Sequence, residues 1–355
     1  MRLGTFRTTV LGFLVAALAV PAGPDLIGAG ELRAIPQQEQ KKQQEPQAEY
    51  TIAVEVPLVK VDAVVTDNNG NPSTVLKKEN FRILEDGVPQ TITNFAPVDA
   101  PITIVLLVEF RKSLWDYFAY QSTDWAYGFL NHLNKDDWVA LVTFDMRTRI
   151  EVDFTRNKME VQNVLARMYF PGFSEANLFD AVIETVDRLK EVKGKKAILA
   201  LASGYDTFSK HTLDDALKTL RQSDVTIFSI GVGRDFYEYF EARGYYSGAG
   251  RVGYLQAENQ LNSFARMTGG KAWFPRFQGE LPNIFREVAA MLRNQYSLGY
   301  TPANKNRDGK FRKIKVELVD DQGNPLVIQD QKGKKVKYVV YAREGYLAPK
   351  GSVGD

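Results

Sequence analysis

The stretch ITIVLLV at Ile102–Val108 is almost continuously apolar, which is typical of a strand buried on both faces of a parallel sheet. Three stretches of the same kind follow it, at Trp138–Phe144, Ala197–Ala202 and Val225–Gly231. Helical patterns lie between and after them, at about 114–133, 158–168, 178–190, 213–222, 261–267 and 284–293. This alternation predicts an α/β fold with a Rossmann-like, doubly wound, mainly parallel sheet, and Arg147–Val152 is a candidate antiparallel edge strand.

Shorter β-type patterns flank the α/β part on both sides. They occur at Thr51–Val56, Val59–Thr66, Phe81–Leu84 and Gln90–Phe95, and again at Gln295–Tyr300, Phe311–Val319 and Lys335–Ala342. Either group alone would be a marginal sheet in water, so we expect the two β-rich segments to combine into one small β-domain or sandwich. The turn sequences TDNNGNP at 66–72 and VDDQGNP at 319–325 resemble each other and predict two similar turns.

The N-terminal residues have the composition of an export signal. Residues 1–22 combine a basic start, an apolar run of about 11 residues and a break of small residues, and that run is shorter than the roughly 20 residues a membrane span needs. We therefore predict a cleaved signal peptide, no stable membrane span afterwards, and a periplasmic or extracellular location. The remaining boundaries are predicted as a flexible Gln/Lys/Glu-rich linker at 23–49, a β segment at 50–98, the α/β domain at 99–293, a second β segment at 294–347 and a tail at 348–355.

Composition excludes several kinds of chemistry. The 355 residues carry a formal net charge of +2, which gives no long-range attraction for nucleic acid. The absence of cysteine excludes disulfides, thiol nucleophiles and Cys-ligated metals. The two histidines, His132 and His211, have no histidine near them in sequence, so we expect structural or surface roles for both.

Ligands of open α/β sheets bind beyond the carboxyl ends of the strands. The first of these strands is followed by EFRKS at 109–113, which is not the glycine-rich turn of a nucleotide-binding site. The carboxyl-end loops also contain Asp145, Glu175 and Asp206, whose oxygens could hold a cation or could simply be solvated.

The α/β part resembles a von Willebrand factor type A (VWA) domain. The resemblance rests on IVLLVEFRKS at 104–113, NLFDA at 177–181 and ALASGYDT at 200–207. The flanking motifs FRILEDG at 81–87 and YSLGY at 296–300 are similar to a secreted bacterial subgroup, best known from acidobacterial sequences, in which the domain lies within β-structure. The resemblance covers roughly residues 59–346.

In the VWA family a D-x-S-x-S motif, a threonine and a second aspartate hold Mg²⁺, which leaves one coordination position for a partner's carboxylate. This sequence departs from that pattern at almost every position. The residues at the five positions are Glu109, Arg111, Ser113, Ala176 and Ser203. The formal charge of the set is zero rather than −2, so the resemblance implies a degenerate adhesion site with little attraction for a dication.

Three hypotheses describe this site. Arg111 can occupy the place of the absent metal and neutralise Glu109, or it can point into solvent from a loop that has lost its role. Alternatively, Mg²⁺ or Ca²⁺ is bound by relocated oxygens of Asp145, Glu175 or Asp206.

The segment 234–254 is the other candidate for the ligand face, because it follows the strand ending at Gly231 and is rich in aromatic, arginine and glycine residues. Its candidate contact residues are Arg234, Phe236, Tyr237, Tyr245 and Tyr246. The same segment could instead be a lid whose aromatics pack on its own domain.

Together these features predict an exported, non-enzymatic binding or adhesion protein whose partner is another protein or a cell-surface polymer, and whose contact needs no metal. The alternatives are a cation-dependent adhesion protein and a hydrolase using Ser113 or Ser203. A serine nucleophile needs a base within reach, and neither histidine lies in a triad-like sequence setting.

Overall fold

The strand Ile102–Glu109 lies inside a six-stranded sheet, and every one of its side chains is buried. The computed structural model describes residues 58–98, 100–112, 128–168, 171–234, 238, 241–244, 248–329 and 335–351. Its α-helices and first twelve strands are β1 Val59–Thr66, β2 Phe81–Glu85, β3 Val88–Gln90, β4 Ile92–Val98, β5 Ile102–Glu109, β6 Trp138–Phe144, β7 Thr148–Thr155, α1 Lys158–Leu165, α2 Leu178–Leu189, β8 Lys195–Ala202, α3 Leu213–Gln222, β9 Thr226–Gly231, α4 Gly248–Thr268, β10 Ala272–Trp273, α5 Leu281–Arg293, β11 Gln295–Tyr300 and β12 Phe311–Leu318. Four short strands follow: β13 Ile328–Gln329, β14 Lys335–Val336, β15 Val339–Ala342 and β16 Gly345–Leu347.

The central sheet has the strand order β10-β9-β8-β5-β6-β7. All neighbouring pairs are parallel except β6 with β7, which is the antiparallel edge. Alternate side chains of β5 enter two different cores: Ile104 and Leu106 pack with α1 and α5, whereas Val105 and Leu107 pack with α2, α3 and α4. The predicted doubly wound α/β fold is confirmed.

The two β-rich segments form two four-stranded antiparallel sheets, with orders β15-β1-β11-β4 and β16-β12-β2-β3. Each sheet contains strands from before and after the α/β domain. Their facing side chains share one core, which includes Val61, Ile83, Tyr296, Leu298 and Ile314. The predicted sandwich is therefore confirmed, and neither segment could form either sheet alone.

The two similar turn sequences adopt the same hydrogen-bonded loop. One carboxylate oxygen of Asp67 accepts the amides of Asn69 and Asn71 at 2.8 and 2.9 Å. Asp320 accepts the amides of Gln322 and Asn324 in the same way, at 3.0 and 2.8 Å. Both carboxylates serve the turn itself, as Asx turns do.

Three sequence predictions need correction, and the first concerns α4. The predicted helix 261–267 begins in the structure at Gly248, so the last part of the segment 234–254 is helix and not loop. The sequence pattern did not indicate this helix start because it contains several glycines, and glycine disfavours a helix by about 1 kcal/mol relative to alanine. Burial of Tyr254, Ala257 and Leu261 offsets that cost.

The other two corrections concern strands. The β pattern predicted at Gln90–Phe95 is divided between two sheets, because β3 pairs with β2 in one sheet while β4 pairs with β11 in the other. Lys335–Ala342 is likewise divided between β14, which pairs with β13, and β15, which pairs with β1. In both places the chain changes partner, which the residue pattern alone does not reveal. Thr51–Val56 and most of the helix predicted at 114–133 lie outside the described residues.

The shared core predicts a large stability loss from a single truncation in β11. Leu298→Ala should lower the free energy of unfolding by about 2–5 kcal/mol, because Leu298 is fully buried between the two sheets. Val75→Ala is the matched control: Val75 is 80% exposed, and the expected change is within about 0.5 kcal/mol. Urea unfolding of both variants measures the difference, and equal stabilities would contradict a common core.

Candidate functional site

The site is built at the carboxyl ends of β5 and β8, which are parallel neighbours. Glu109 is the last residue of β5 and is completely buried, and Ser203 follows β8 directly. The Ser203 amide donates to one carboxylate oxygen of Glu109 at 2.5 Å, and the Ser203 hydroxyl donates to the other at 3.0 Å. Strand pairing thus brings these two residues together, although they are far apart in sequence.

Arg111 completes this cluster. Its guanidinium forms an ion pair with Glu109 and donates to the Ser203 hydroxyl oxygen at 3.1 Å and to the Ser174 carbonyl at 3.3 Å. The Arg111 side chain is only 13% exposed, so it turns into the site and not into solvent. We call Glu109, Arg111 and Ser203 the buried ion-pair cluster.

Two opposing effects act on Glu109. Burial raises the pKa of its carboxyl group, and this is the larger effect, whereas the positive charge of Arg111 and the donors of Ser203 lower that pKa. Arg111 therefore stabilises a carboxylate that burial alone would drive towards its neutral form.

Ala176 is buried beside the cluster and contributes only main-chain groups. Its amide donates to the Thr207 hydroxyl at 2.9 Å, and its carbonyl accepts the amides of Thr207 and Phe208 at 2.8 and 2.9 Å. This position of the VWA pattern has no side-chain oxygen, and the loop after β8 is instead fixed to it by hydrogen bonds.

The three carboxylates considered as relocated ligands already have partners. Asp145 is completely buried and pairs with Arg149 at 2.5 Å. Asp206 accepts the Ser209 hydroxyl at 2.5 Å and the Phe179 amide at 3.2 Å, close to the start of α2. Glu175 is exposed and accepts the amide of its neighbour Ser174.

The residues of this site do not fit Mg²⁺. A magnesium ion needs near-octahedral oxygen coordination. Both carboxylate oxygens of Glu109 already accept from Ser203, and Arg111 offers only N–H donors where the family pattern has a serine. Within the described part of the chain, no three His, Asp or Glu side chains are grouped so that they could hold a metal ion.

Among the described residues, no histidine is hydrogen-bonded to Ser203, the one of the two candidate nucleophiles that the structure describes. Ser203 contacts Glu109, Arg111 and the Tyr205 amide. His211 is bound elsewhere, with its Nδ1 2.7 Å from a carboxylate oxygen of Asp180. The cluster holds the charges of Glu109 and Arg111 in place and fixes the loops after β5 and β8.

The remaining candidates are only partly described. Arg234 donates to Glu238 at 2.9 Å and lies 3.7 Å from a carboxylate oxygen of Glu258. The candidates Ser113, Phe236, Tyr237, Tyr245 and Tyr246 lie outside the described residues.

Sequence reasoning missed the supporting residues. Arg149 lies four residues after Asp145, a spacing that could have suggested the ion pair. Phe173 and Phe208 were also missed, although both are substantially exposed, at 39% and 49%. The Phe173 carbonyl accepts the Lys112 amide, so this ring lies on a loop joined to the Arg111 loop. We call Phe173 and Phe208 the aromatic rim.

A mainly parallel, doubly wound sheet with a charged cluster at its strand ends defines the class of this domain. Residues 105–265 match the family model for the von Willebrand factor type A domain. No curated protein matches the chain.

Similar solved structures include three bacterial proteins. Conserved hypothetical protein BatB from Bacteroides thetaiotaomicron is 13% identical, with a TM-score of 0.39, and the match covers 54% of this chain and 98% of that one. A von Willebrand factor type A protein from Catenulispora acidiphila is 10% identical, with a TM-score of 0.43 and coverage of 80% and 73%. The vWF domain of the type V pili tip protein Mfa5 from Porphyromonas gingivalis is 10% identical, with a TM-score of 0.39 and coverage of 54% and 95%.

Removing only the positive charge of the buried ion-pair cluster should strongly destabilise the protein. Arg111→Met leaves the Glu109 carboxylate buried without its counter-charge, so near pH 8 we expect the free energy of unfolding to fall by about 3–5 kcal/mol. The double variant Arg111→Met/Glu109→Gln removes both charges, so its free energy of unfolding should fall by less than that of Arg111→Met. Lys112→Met, at an exposed neighbouring position, is the control.

The loss in Arg111→Met should depend on pH. Without Arg111, burial raises the pKa of Glu109 with less opposition, so the folded state favours the protonated carboxyl. Stability relative to the parent is then best below the ordinary glutamate pKa of about 4.3 and declines as the pH rises. Urea unfolding at several pH values measures this, and a loss that is equal across the range would contradict the role assigned to Arg111.

Proposed function

We propose that this protein is an exported, non-enzymatic binding protein that engages another protein or a cell-surface polymer through the carboxyl-end face of its VWA domain, without a divalent cation. The observation that carries this proposal is the ion pair of Arg111 with the completely buried Glu109. A permanent side-chain cation stands at the carboxylate, so the loops of this face are held in place without a metal.

Several features support a contact at this face. The aromatic rim combines large apolar side chains with a neighbouring arginine, and aromatic and arginine residues dominate binding hot spots. Hydrogen bonds from Lys112 and to Ala176 fix the backbone of both rim loops, which lowers the entropy lost on binding. A non-enzymatic role agrees with the match to the VWA family model, and the carboxylate that accepts from the Ser203 hydroxyl is already ion-paired with Arg111.

Export is proposed from the signal-like residues 1–22, and the flanking FRILEDG and YSLGY motifs support membership of the secreted bacterial VWA subgroup. In the sandwich, FRILEDG spans β2 and the first two residues of the turn after it, and YSLGY lies in β11. None of the described helices is long and apolar enough to span a bilayer.

Metal independence predicts that divalent cations leave the protein unchanged. Millimolar Mg²⁺ or EDTA should shift the thermal unfolding midpoint by less than about 1 °C, because a ligand that does not bind the native state cannot stabilise it. The positive control is a variant in which the family pattern is restored by Glu109→Asp, Arg111→Ser, Ala176→Thr and Ser203→Asp. The thermal unfolding midpoint of this variant should rise when Mg²⁺ is added. An EDTA-sensitive midpoint in the parent protein would favour cation-dependent adhesion instead.

The aromatic rim predicts where the partner binds. Phe173→Ser/Phe208→Ser should weaken capture of the partner from native cell envelope by about tenfold, since loss of aromatic contacts at a hot spot costs more than about 1 kcal/mol. Val75→Ser, an exposed apolar position in the sandwich, is the control. Quantitative pull-down in EDTA measures both variants, and undiminished capture by the rim variant would remove this face as the contact.

A further inference from the structure

A second polar site lies at the opposite end of the parallel sheet. A cavity of about 210 Å³ is enclosed by the amino ends of β5, β8 and β9 on one side and by β1 and β11 of the sandwich on the other. Its charged lining residues are Lys60, Asp62, Lys195, Lys196, Asp224 and Arg343. Four basic side chains thus face two acidic ones, an excess of two positive charges.

Both carboxylates of this cavity are already paired with lysines. Asp224 lies 2.7 Å from Nζ of Lys196, whose side chain is only 5% exposed. Asp62 lies 3.6 Å from Nζ of Lys60. The same two carboxylates also act electrostatically on Arg343, but neither is ion-paired with it.

Arg343 is held by main-chain groups alone. Its Nε donates to the Gly345 carbonyl and one terminal nitrogen donates to the Ser223 carbonyl, both at 2.9 Å. Among the described residues, no carboxylate lies within ion-pair distance of its guanidinium. Burial lowers the pKa of Arg343 by more than the negative charges of Asp224 and Asp62 raise it.

A second cavity adjoins the first and shares two of its lining residues, Asp224 and Arg343. It measures about 500 Å³ and adds two further cations, Arg221 and Lys350. Arg343 therefore stands between two basic cavities, and its orientation is fixed from both sides by the carbonyls it contacts.

We propose that this junction binds an oxyanion of the phosphate class, held by Arg343 and the surrounding lysines. A guanidinium presents paired N–H donors that match two phosphate oxygens. The first cavity has room for several waters at about 30 Å³ each, which is enough for one tetrahedral oxyanion and less than the roughly 300–1,000 Å³ of pockets for larger ligands. The phosphate is either a free ion or one group of a phosphate chain that continues into the second cavity.

Binding at this place would join the two halves of the structure. Arg343 follows β15 of the sandwich, whereas its acceptor Ser223 lies at the end of α3 in the VWA domain. An anion here compensates the buried charge and strengthens this junction. The site is independent of the proposed carboxyl-end contact, because none of its residues belongs to the buried ion-pair cluster or the aromatic rim.

Isothermal titration of the full chain with inorganic phosphate and with tripolyphosphate, against chloride at matched ionic strength, tests the proposal. We expect saturable binding of one equivalent to the parent protein. Arg343→Gln should weaken it by about tenfold or more, since a hydrogen bond to a charged group contributes enough for such a change. Arg286→Gln removes one exposed positive charge on α5 away from both cavities and should bind like the parent protein.

Two milder variants keep the test decisive if Arg343→Gln fails to fold. Asp62→Asn should tighten binding and Lys60→Gln, at a largely exposed side chain, should weaken it. Equal affinities for the two anions indicate a free ion, whereas markedly tighter tripolyphosphate indicates a chain through both cavities. Absence of saturable binding to the parent protein, or unchanged affinity across Arg343, Asp62 and Lys60 variants, would overturn the proposal.

Discussion

The ion pair between Glu109 and Arg111 is the constraint on which the carboxyl-end face depends. A carboxylate that is completely buried must be neutralised or given a counter-charge, because an isolated charge in a protein interior is very unfavourable. In the VWA pattern that this sequence resembles, a bound cation supplies the charge. Here Arg111, two positions after Glu109, supplies the counter-charge. A tethered cation cannot dissociate, and on our proposal it holds these loops without a bound metal ion.

The same solution recurs at two other fully buried carboxylates of the α/β domain. Asp145 pairs with Arg149 beside the antiparallel edge strand, and Asp137 pairs with Arg293 at the end of α5. Each arginine anchors one segment to another: Arg111 fixes the loop after β5 and Arg293 fixes the helix that leads into the sandwich. Arg343 differs, since it is held by carbonyls and leaves the amino-end cavity positively charged. The two ends of the sheet therefore differ in their electrostatics, with charge balanced within the cluster at one end and positive charge in excess at the other.

The fold could be predicted to a large extent from the sequence, because buried parallel strands have a distinctive pattern. Trp138–Phe144 and Gln295–Tyr300 were predicted with the bounds that the structure has. Prediction failed where tertiary contacts outweigh local preference, as in the glycine-rich start of α4, and where the chain changes sheets, as between β3 and β4. At the site, the sequence identified Glu109, Arg111 and Ser203 through a motif. It could not reveal the Ser174 carbonyl as an acceptor or the exposure of Phe173, since neither depends on a residue pattern.

Titration of the purified protein with Mn²⁺, followed by the electron paramagnetic resonance signal of the free ion, tests most directly whether the cation of this face is Arg111. Manganese favours the same hard oxygen ligands as magnesium. The account predicts that the free-ion signal rises as it does in buffer alone, with no equivalent of ion removed by the protein. One equivalent of tightly bound Mn²⁺ that disappears in Glu109→Gln would contradict it.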